Sequence, residues 1–322
     1  MTSTICFIGC GNMAQAMIRG LLATGWPSTQ IIATAREQKK LQAIAKSLSI
    51  NTSTVNSAAL NGAEYVVLAV KPPQLLAVLA EIKNSLSPQQ VILSVVTGVN
   101  CTLLEQFLKP TTPVVAAMPN TPALVGEGIT GLIEKNLSPD QSQAVELIFQ
   151  SLGTIQWLEN EAQLPVITAV TGSAPAYYLL LGEYWCQASG KSVAAYLQEL
   201  RSRENPIITA MMDAHRQAAE ALGLQGCASL VEQVVKGVAC LIQAEQAPLS
   251  QLRDNVTSKG GTTAAALDVL TVGPLQQWVE DQVSGVQSTI SLTKLMYQGI
   301  VAANKRAEVI SSSLFAQKKR SE

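Results

Sequence analysis

The stretch 4-TICFIGCGNMA-14 joins a short apolar run to a glycine-rich turn, after which apolar residues recur at helical spacing through Met13, Met17, Ile18, Leu21 and Leu22. Strand, tight turn and helix in that order constrain the rest of the fold, because a parallel strand can be added only after a crossover, usually helical. Within the turn, 9-GCGNMA-14 has GxGxxA spacing. Gly9 makes the bend, Gly11 lets backbone approach a pyrophosphate, and Ala14 lets helix and strand pack closely. The start of the helix offers unpaired N–H groups and partial positive charge to phosphates. An ordinary βα turn also favours small residues; the position between strand and helix favours the dinucleotide.

The alternation continues. An apolar run at 30–35 precedes a helix-like 37–48, and 65-YVVLAV-70 is a continuous apolar strand of the kind buried on both faces. A helix at about 73–84, the strand 91-VILSVV-96, a helix near 102–108, the strand 113-PVVAAM-118 and a further strand in 127-EGITGLIE-134 come next. From about 161 strand-like runs nearly vanish, and helical windows occupy 175–188, 206–222, 227–245, 263–270 and 279–312. The expected fold class is α/β: an N-terminal Rossmann-type parallel-sheet domain over 1–160, then an all-α helical domain over 161–322. The polar tail after about 314 is expected to fray.

Composition excludes several partners. The formal net charge is -1, and Lys and Arg are scattered except for Lys318, Lys319 and Arg320, so neither nucleic acid nor an anionic membrane is the natural partner. A small-molecule substrate is expected instead. Cysteines stand at 6, 10, 101, 186, 227 and 240 without a CxxC pair, and His215 is the single histidine, so no metal site is expected. Reduced thiols, the lack of a basic leader and the lack of an apolar run near the ~18 residues of a membrane span point to a cytoplasmic chain.

At the end of the second strand an NAD-selective site would place an acidic residue for the ribose hydroxyls. Here 33-ATAR-36 offers Thr34 and Arg36, which suit a 2′-phosphate; Glu37 close by keeps NADH open beside NADPH. The strand in 68-LAVKPPQ-74 stops at Lys71, beyond the carboxyl edge where ligands of open sheets bind. A solvated strand-end charge accounts for Lys71 equally well. In 254-DNVTSKGGTTAAALDVL-270, Gly260 and Gly261 expose backbone N–H groups at a helix start, where a carboxylate is stabilised and Ser258 adds a hydroxyl. By itself this is also an ordinary helix cap.

Taken together, 8-IGCGNMA-14, 67-VLAVKP-72, 118-MPNTPA-123, 169-AVTGSAPAYY-178 and 254-DNVTSKGGTTAAAL-267 resemble pyrroline-5-carboxylate reductase, in the family's order and across most of the chain. The last block is the most specific. The resemblance implies NAD(P)H-dependent reduction of 1-pyrroline-5-carboxylate to proline, the last step of proline biosynthesis. It also implies a helical domain for dimerisation and substrate, in a homodimer or homodecamer whose active site a partner chain completes. Carried over by position, cofactor contacts fall on Gly9, Gly11, Asn12, Met13, Ala14, Thr34, Arg36, Asn56, Ala69, Lys71 and Pro72. Substrate contacts fall on Val256, Ser258, Gly260, Gly261, Thr262 and Thr263. Thr263 resembles the family's catalytic threonine, whose hydroxyl meets the imine nitrogen.

Four features depart from the family pattern. The GLSGSGPAY-type loop reads as a shortened 172-GSAPAY-177, Lys259 replaces a proline, Ala116 replaces an arginine, and an insertion is expected near 182–208, as a surface loop or extra helix pair. These leave two alternatives open. One is a related NADP-dependent imine or hydroxy-acid oxidoreductase, although Lys191 and Lys236 lie in no motif for a lysine base. The other is a catalytically weakened dinucleotide-binding regulatory relative. His215, in the polar stretch DAHRQ, reads as a surface or interface residue.

Overall fold

The computed structural model describes residues 3–271 and 273–321, with side chains through Ala316, so the Lys318, Lys319 and Arg320 side chains lie outside the described ones. By its packing the chain divides into two compact units. The first comprises Met1–Pro119, Thr130–Leu164 and Ile310–Glu322, the second Asn120–Ile129 and Pro165–Val309.

In the first unit the elements run β1 (Ile5–Ile8), α1 (Asn12–Ala23), β2 (Ile31–Thr34), α2 (Gln38–Leu48), β3 (Asn51–Ser53), α3 (Asn56–Ala59), β4 (Tyr65–Leu68), α4 (Leu75–Ile82), β5 (Val91–Ser94), α5 (Cys101–Glu105), β6 (Val114–Pro119), β7 (Gly128–Lys135), α6 (Pro139–Gln150) and β8 (Gly153–Trp157). The sheet order is β3-β2-β1-β4-β5-β6-β7-β8. The first six strands are parallel, the doubly wound order of a Rossmann domain. Strands β1, β4 and β5 are buried along their whole length, which explains their continuous apolar runs. Strand β7 runs antiparallel to β6, from Val114↔Lys135 to Pro119↔Thr130. The short connection between them is too brief for a parallel crossover.

Two strands gave no clear signal in the sequence. The three residues of β3, Asn-Thr-Ser, carry no apolar residue and pair only with β2. Strand β8 is nowhere fully buried. Periodicity reports burial, so half-exposed strands are quiet.

The second unit is helical. A continuous helical stretch, Gln163–Ser189, contains α7 (Gln163–Ile167), a π-helical turn (Thr168–Gly172) and α8 (Ala174–Ser189). Then come α9 (Val193–Ser202), α10 (Pro206–Ala221), α11 (Cys227–Glu245), α12 (Leu249–Asn255), α13 (Thr262–Leu270), α14 (Pro274–Val283) and α15 (Leu292–Ser321), of which the part from Ile310 belongs to the first unit.

Several expectations change here. The helical window 279–312 is two helices: α14 ends before Gly285, whose φ of +71° closes the turn, and the Ser291 hydroxyl accepts from the Lys294 N–H where α15 begins. The tail past 314 is helical, since α15 continues to Ser321. The segment 182–208 contains the end of α8, one whole helix, α9, and the start of α10, rather than a loop or an extra helix pair, and the fully buried Tyr196 ties α9 down by donating to the Tyr178 carbonyl at 2.6 Å. Among the described residues two helices, Gln163–Ser189 and Cys227–Glu245, are long and apolar enough to cross a membrane by length and composition alone, contrary to the expectation of none. Their apolar windows are 89% and 56% buried inside the protein, as core helices are.

Candidate functional site

The first unit opens a mouth at the carboxyl ends of β1, β2 and β4. At its floor Gly9 has φ +94°, and a Cβ there would meet the Ala69 carbonyl oxygen at 2.7 Å and Val70 Cγ1 at 2.9 Å. Both the backbone angle and the close approach require glycine. Gly11 differs, since a Cβ there would meet nothing within 4 Å. That open space lies at the start of α1, which has no acidic residue in its first turn and no side-chain cap. A pyrophosphate fits there, against N–H groups with no partner inside the helix.

Around this floor runs a cavity of about 370 Å³, lined among others by Gly9, Gly11, Thr34, Arg36, Asn56, Ala69 and Lys71. Asn12, Met13, Ala14 and Pro72 do not line it. Ala14 is fully buried beneath α1, consistent with a packing residue rather than a contact. Sequence reasoning missed Lys40, Thr54, Gln74 and Glu81 in the lining. Lys40 could have been found, as a cation in the first turn of the helix that follows Arg36. Glu81 could not, because only the fold brings α4 beside Asn56.

Thr34 is 1% exposed and organises the rim. The Gly9 N–H donates to its hydroxyl at 3.3 Å, the hydroxyl donates to Asn56 Oδ1 at 2.6 Å, and Asn56 Nδ2 donates to Glu81 Oε2 at 3.0 Å. Three cations, Arg36, Lys40 and Lys71, stand against the carboxylates Glu37 and Glu81. Cys10 also lines the mouth, and burial raises its thiol pKa while Lys40 lowers it, so the thiol stays neutral.

The second unit carries the other cluster. Arg253 of α12 donates to both carboxylate oxygens of Glu183, from Nε at 2.6 Å and Nη2 at 3.3 Å, fixing the approach to the loop. The Thr257 hydroxyl donates back to the Arg253 carbonyl at 2.6 Å. Gly260 takes φ +67°, and its carbonyl accepts from Arg306 Nε at 2.6 Å. Gly261 is the N-cap of α13, and a Cβ there would collide with the Ser258 hydroxyl. The loop is therefore held at both ends, with the Ser258 hydroxyl packed against the glycine at the helix start. Lys259 is exposed.

Behind the glycines three hydroxyls meet. Thr263 donates to Ser173 at 3.3 Å, and Ser173 donates to Thr262 at 3.1 Å. All three residues are buried, with Ser173 1% exposed. Thr262, Thr263, Gly260 and Gly261 thus share one helix start with Ser258, while Val256 stands at the C-cap of α12. Ser173, some ninety positions away in sequence, was not anticipated.

Two further expectations change. The stretch before α8 is a π-helical turn and not a loop, and 169-AVTGSAPAY-177 spans the same nine positions as the GLSGSGPAY pattern, so nothing is missing from it. His215 is 0% exposed, not a surface residue: it faces inward from α10 against Tyr177 and Tyr178. Ala116 is also fully buried, in β6 between Ser94 and Ile133. Among the described residues no group of His, Cys, Asp and Glu is arranged to hold a metal ion.

A doubly wound sheet with a phosphate-ready first turn, followed by a helical unit with a hydroxyl cradle, defines a Rossmann-type oxidoreductase. Residues 4–98 match the family described as NADP oxidoreductase coenzyme F420-dependent, and 205–291 match that described as pyrroline-5-carboxylate reductase dimerisation. The chain is 37% identical to the pyrroline-5-carboxylate reductase of Pasteurella multocida over 86% of its own length and 92% of that protein's. The solved pyrroline-5-carboxylate reductase of Coxiella burnetii is 33% identical, with a TM-score of 0.60 over 97% of this chain and 99% of that one. The Plasmodium falciparum enzyme, solved with NADP bound, shares the fold at 24% identity and a TM-score of 0.55, over 96% and 98% of the two chains. The chain belongs to the pyrroline-5-carboxylate reductase family.

Proposed function

We propose that this protein reduces 1-pyrroline-5-carboxylate to L-proline at the start of α13, with NADPH preferred over NADH. The observation that carries the reading is the pair of buried threonine hydroxyls behind two glycines at that helix start. Backbone N–H groups there stabilise a carboxylate, and the Ser258 hydroxyl adds a donor. Bound NADPH supplies the hydride for the imine carbon. Thr263 orients the ring through its nitrogen and helps that nitrogen hold its proton. A protonated imine is already electrophilic, so alignment and exclusion of water are the main demands. No strong base is needed, in keeping with a cluster made of hydroxyls.

In the dinucleotide unit, over about 1–160, Gly9, Gly11 and the start of α1 hold the pyrophosphate. Arg36 and Lys40 hold the adenosine 2′-phosphate beside the hydrogen-bonded pair Thr34 and Asn56, with Ala69, Lys71 and Pro72 at the edge of β4. The surplus of cations over carboxylates around the mouth supports NADPH. The helical unit, over about 161–322, serves substrate and dimerisation, as a homodimer or homodecamer. A cytoplasmic location is in keeping with six free cysteines. Steady-state oxidation of NADPH with 1-pyrroline-5-carboxylate tests the reading: turnover supports it, and cofactor binding without turnover would overturn it in favour of a regulatory relative.

A further inference from the structure

The π-helical turn Thr168–Gly172 raises a question of hydrogen-bond accounting. Pro175 has no N–H, so it cannot donate to the Thr171 carbonyl at α spacing or to the Val170 carbonyl at π spacing. Each of the four buried carbonyls from Thr168 to Thr171 nevertheless has a partner. The Ser173 N–H donates to Thr168 O at 2.9 Å, Tyr177 O–H to Ala169 O at 3.1 Å, His215 Nε2–H to Val170 O at 2.9 Å, and Asn120 Nδ2–H to Thr171 O at 3.1 Å. Three side chains from separate elements thus take the place of helical bonds. Without them the turn would leave buried acceptors unpaired, each at the cost of its lost solvation.

The histidine tautomer is fixed by this arrangement. A carbonyl only accepts, so Nε2 carries the proton, and Nδ1 accepts from the Tyr178 hydroxyl at 3.2 Å. Tyr178 is pinned in turn, since its own carbonyl accepts from Tyr196. The residue that emerges from the turn is Ser173, whose hydroxyl bridges Thr262 and Thr263. A π-turn advances the backbone by a step that a regular α-helix would not, and such turns recur at functional sites.

We propose that His215, with Tyr177 and Asn120, is a positioning residue that locks the π-turn so that Ser173 sets the hydroxyl of Thr263 for the imine nitrogen. The proposal rests on the proposed role of Thr263 at that nitrogen. His215 touches no reacting atom in it. Its effect reaches the chemistry through Val170, the turn and the Ser173 hydroxyl.

The test crosses Ser173→Ala, His215→Leu and His215→Gln with Thr263→Ala, measuring kcat, the KM for NADPH and the thermal unfolding midpoint. Ser173→Ala should lower kcat about 10-fold, the ~1.4 kcal/mol of one oriented hydrogen bond, with the KM for NADPH within about twofold. In the Thr263→Ala background it should cause no further loss, because both changes break one chain. His215→Leu should lower kcat similarly, and His215→Gln, which keeps an amide donor for Val170, should recover most of it. Should His215→Leu not fold, Tyr177→Phe, which removes the single oxygen that donates to Ala169, takes its place and should lower kcat as Ser173→Ala does; an unchanged kcat there would overturn the proposal. Unchanged kcat in Ser173→Ala, full additivity with Thr263→Ala, or equal losses in a folded His215→Leu and in His215→Gln would overturn the proposal. If the wild type does not reduce 1-pyrroline-5-carboxylate, the reading of the site fails and the proposal with it. Normal turnover with only Thr263→Ala impaired overturns the proposal alone.

Discussion

The mouth in the first unit and the cradle in the second both place glycines at the start of a helix, yet they are built in opposite ways. In the mouth, backbone carries the geometry: Gly9 sits against the Ala69 carbonyl, and the charged side chains Arg36, Lys40 and Glu81 stay exposed or half-exposed at the rim. In the cradle, side chains carry it. Its hydroxyls are buried and are aligned by partners far away in sequence. Substitutions should therefore act locally in the mouth and through a network in the cradle.

The largest expected effect concerns the network. Burial pushes the pKa of His215 down from 6.5 to about 4, with the Val170 carbonyl pulling it partly back. A depressed folded-state value means that the stability is fully present above the unfolded value near 6.5. It is lost as the pH falls through that window towards 4, because the unfolded chain takes up the proton first. About 3 kcal/mol should disappear between those limits. Urea unfolding of wild type and His215→Gln across pH 4–7 checks this, and the variant should show a shallower dependence. If both curves have the same slope, the histidine is not held neutral by the fold.

Gly9→Ala should weaken NADPH binding about 100-fold or more, roughly 2.7 kcal/mol, because its Cβ would press on a backbone carbonyl that cannot move aside. Fluorescence titration measures it, and a loss below threefold would show that the mouth is not backbone-led. Thr263→Ala should lower kcat/KM for the imine by about 10- to 100-fold, some 1.4–2.7 kcal/mol, while leaving NADPH binding alone.

The sequence disclosed these two regions unequally, for physical reasons. The mouth is a contiguous turn between a buried strand and an amphipathic helix, so GCGNMA and the apolar runs of β1, β4 and β5 point to it directly. Its misses, Lys40 and Glu81, are rim residues brought in by α2 and α4. The start of α13 was also legible, through Gly260, Gly261 and Thr263. What supports it was not: Ser173, the π-turn and the buried His215 depend on the packing of α8, α10 and α13. A polar stretch such as DAHRQ gives no hint that its histidine is fully enclosed. The end of α14 was missed although Gly285 and the non-helical residues 284–291 separate it from α15, because the window is helical in its overall composition.

Smaller effects sharpen the contrast at the exposed residues. Arg36→Ala and Lys40→Ala should each weaken NADPH by about 5- to 10-fold, near 1 kcal/mol, and weaken NADH less. Equal losses for both cofactors would remove the 2′-phosphate assignment. Lys259→Pro should change the KM for the imine by less than about threefold, since the exposed ammonium stays largely in water. A larger change would make Lys259 part of the substrate groove.

In the proposed reaction a hydride passes from the nicotinamide directly to the imine carbon of 1-pyrroline-5-carboxylate. Mass spectrometry of the product, formed with NADPH carrying deuterium on one or the other face of nicotinamide C4, tests it most directly. Direct transfer gives proline heavier by a single deuterium with one of the two labelled cofactors and unlabelled proline with the other. Unlabelled product from both, or no proline at all, would contradict it.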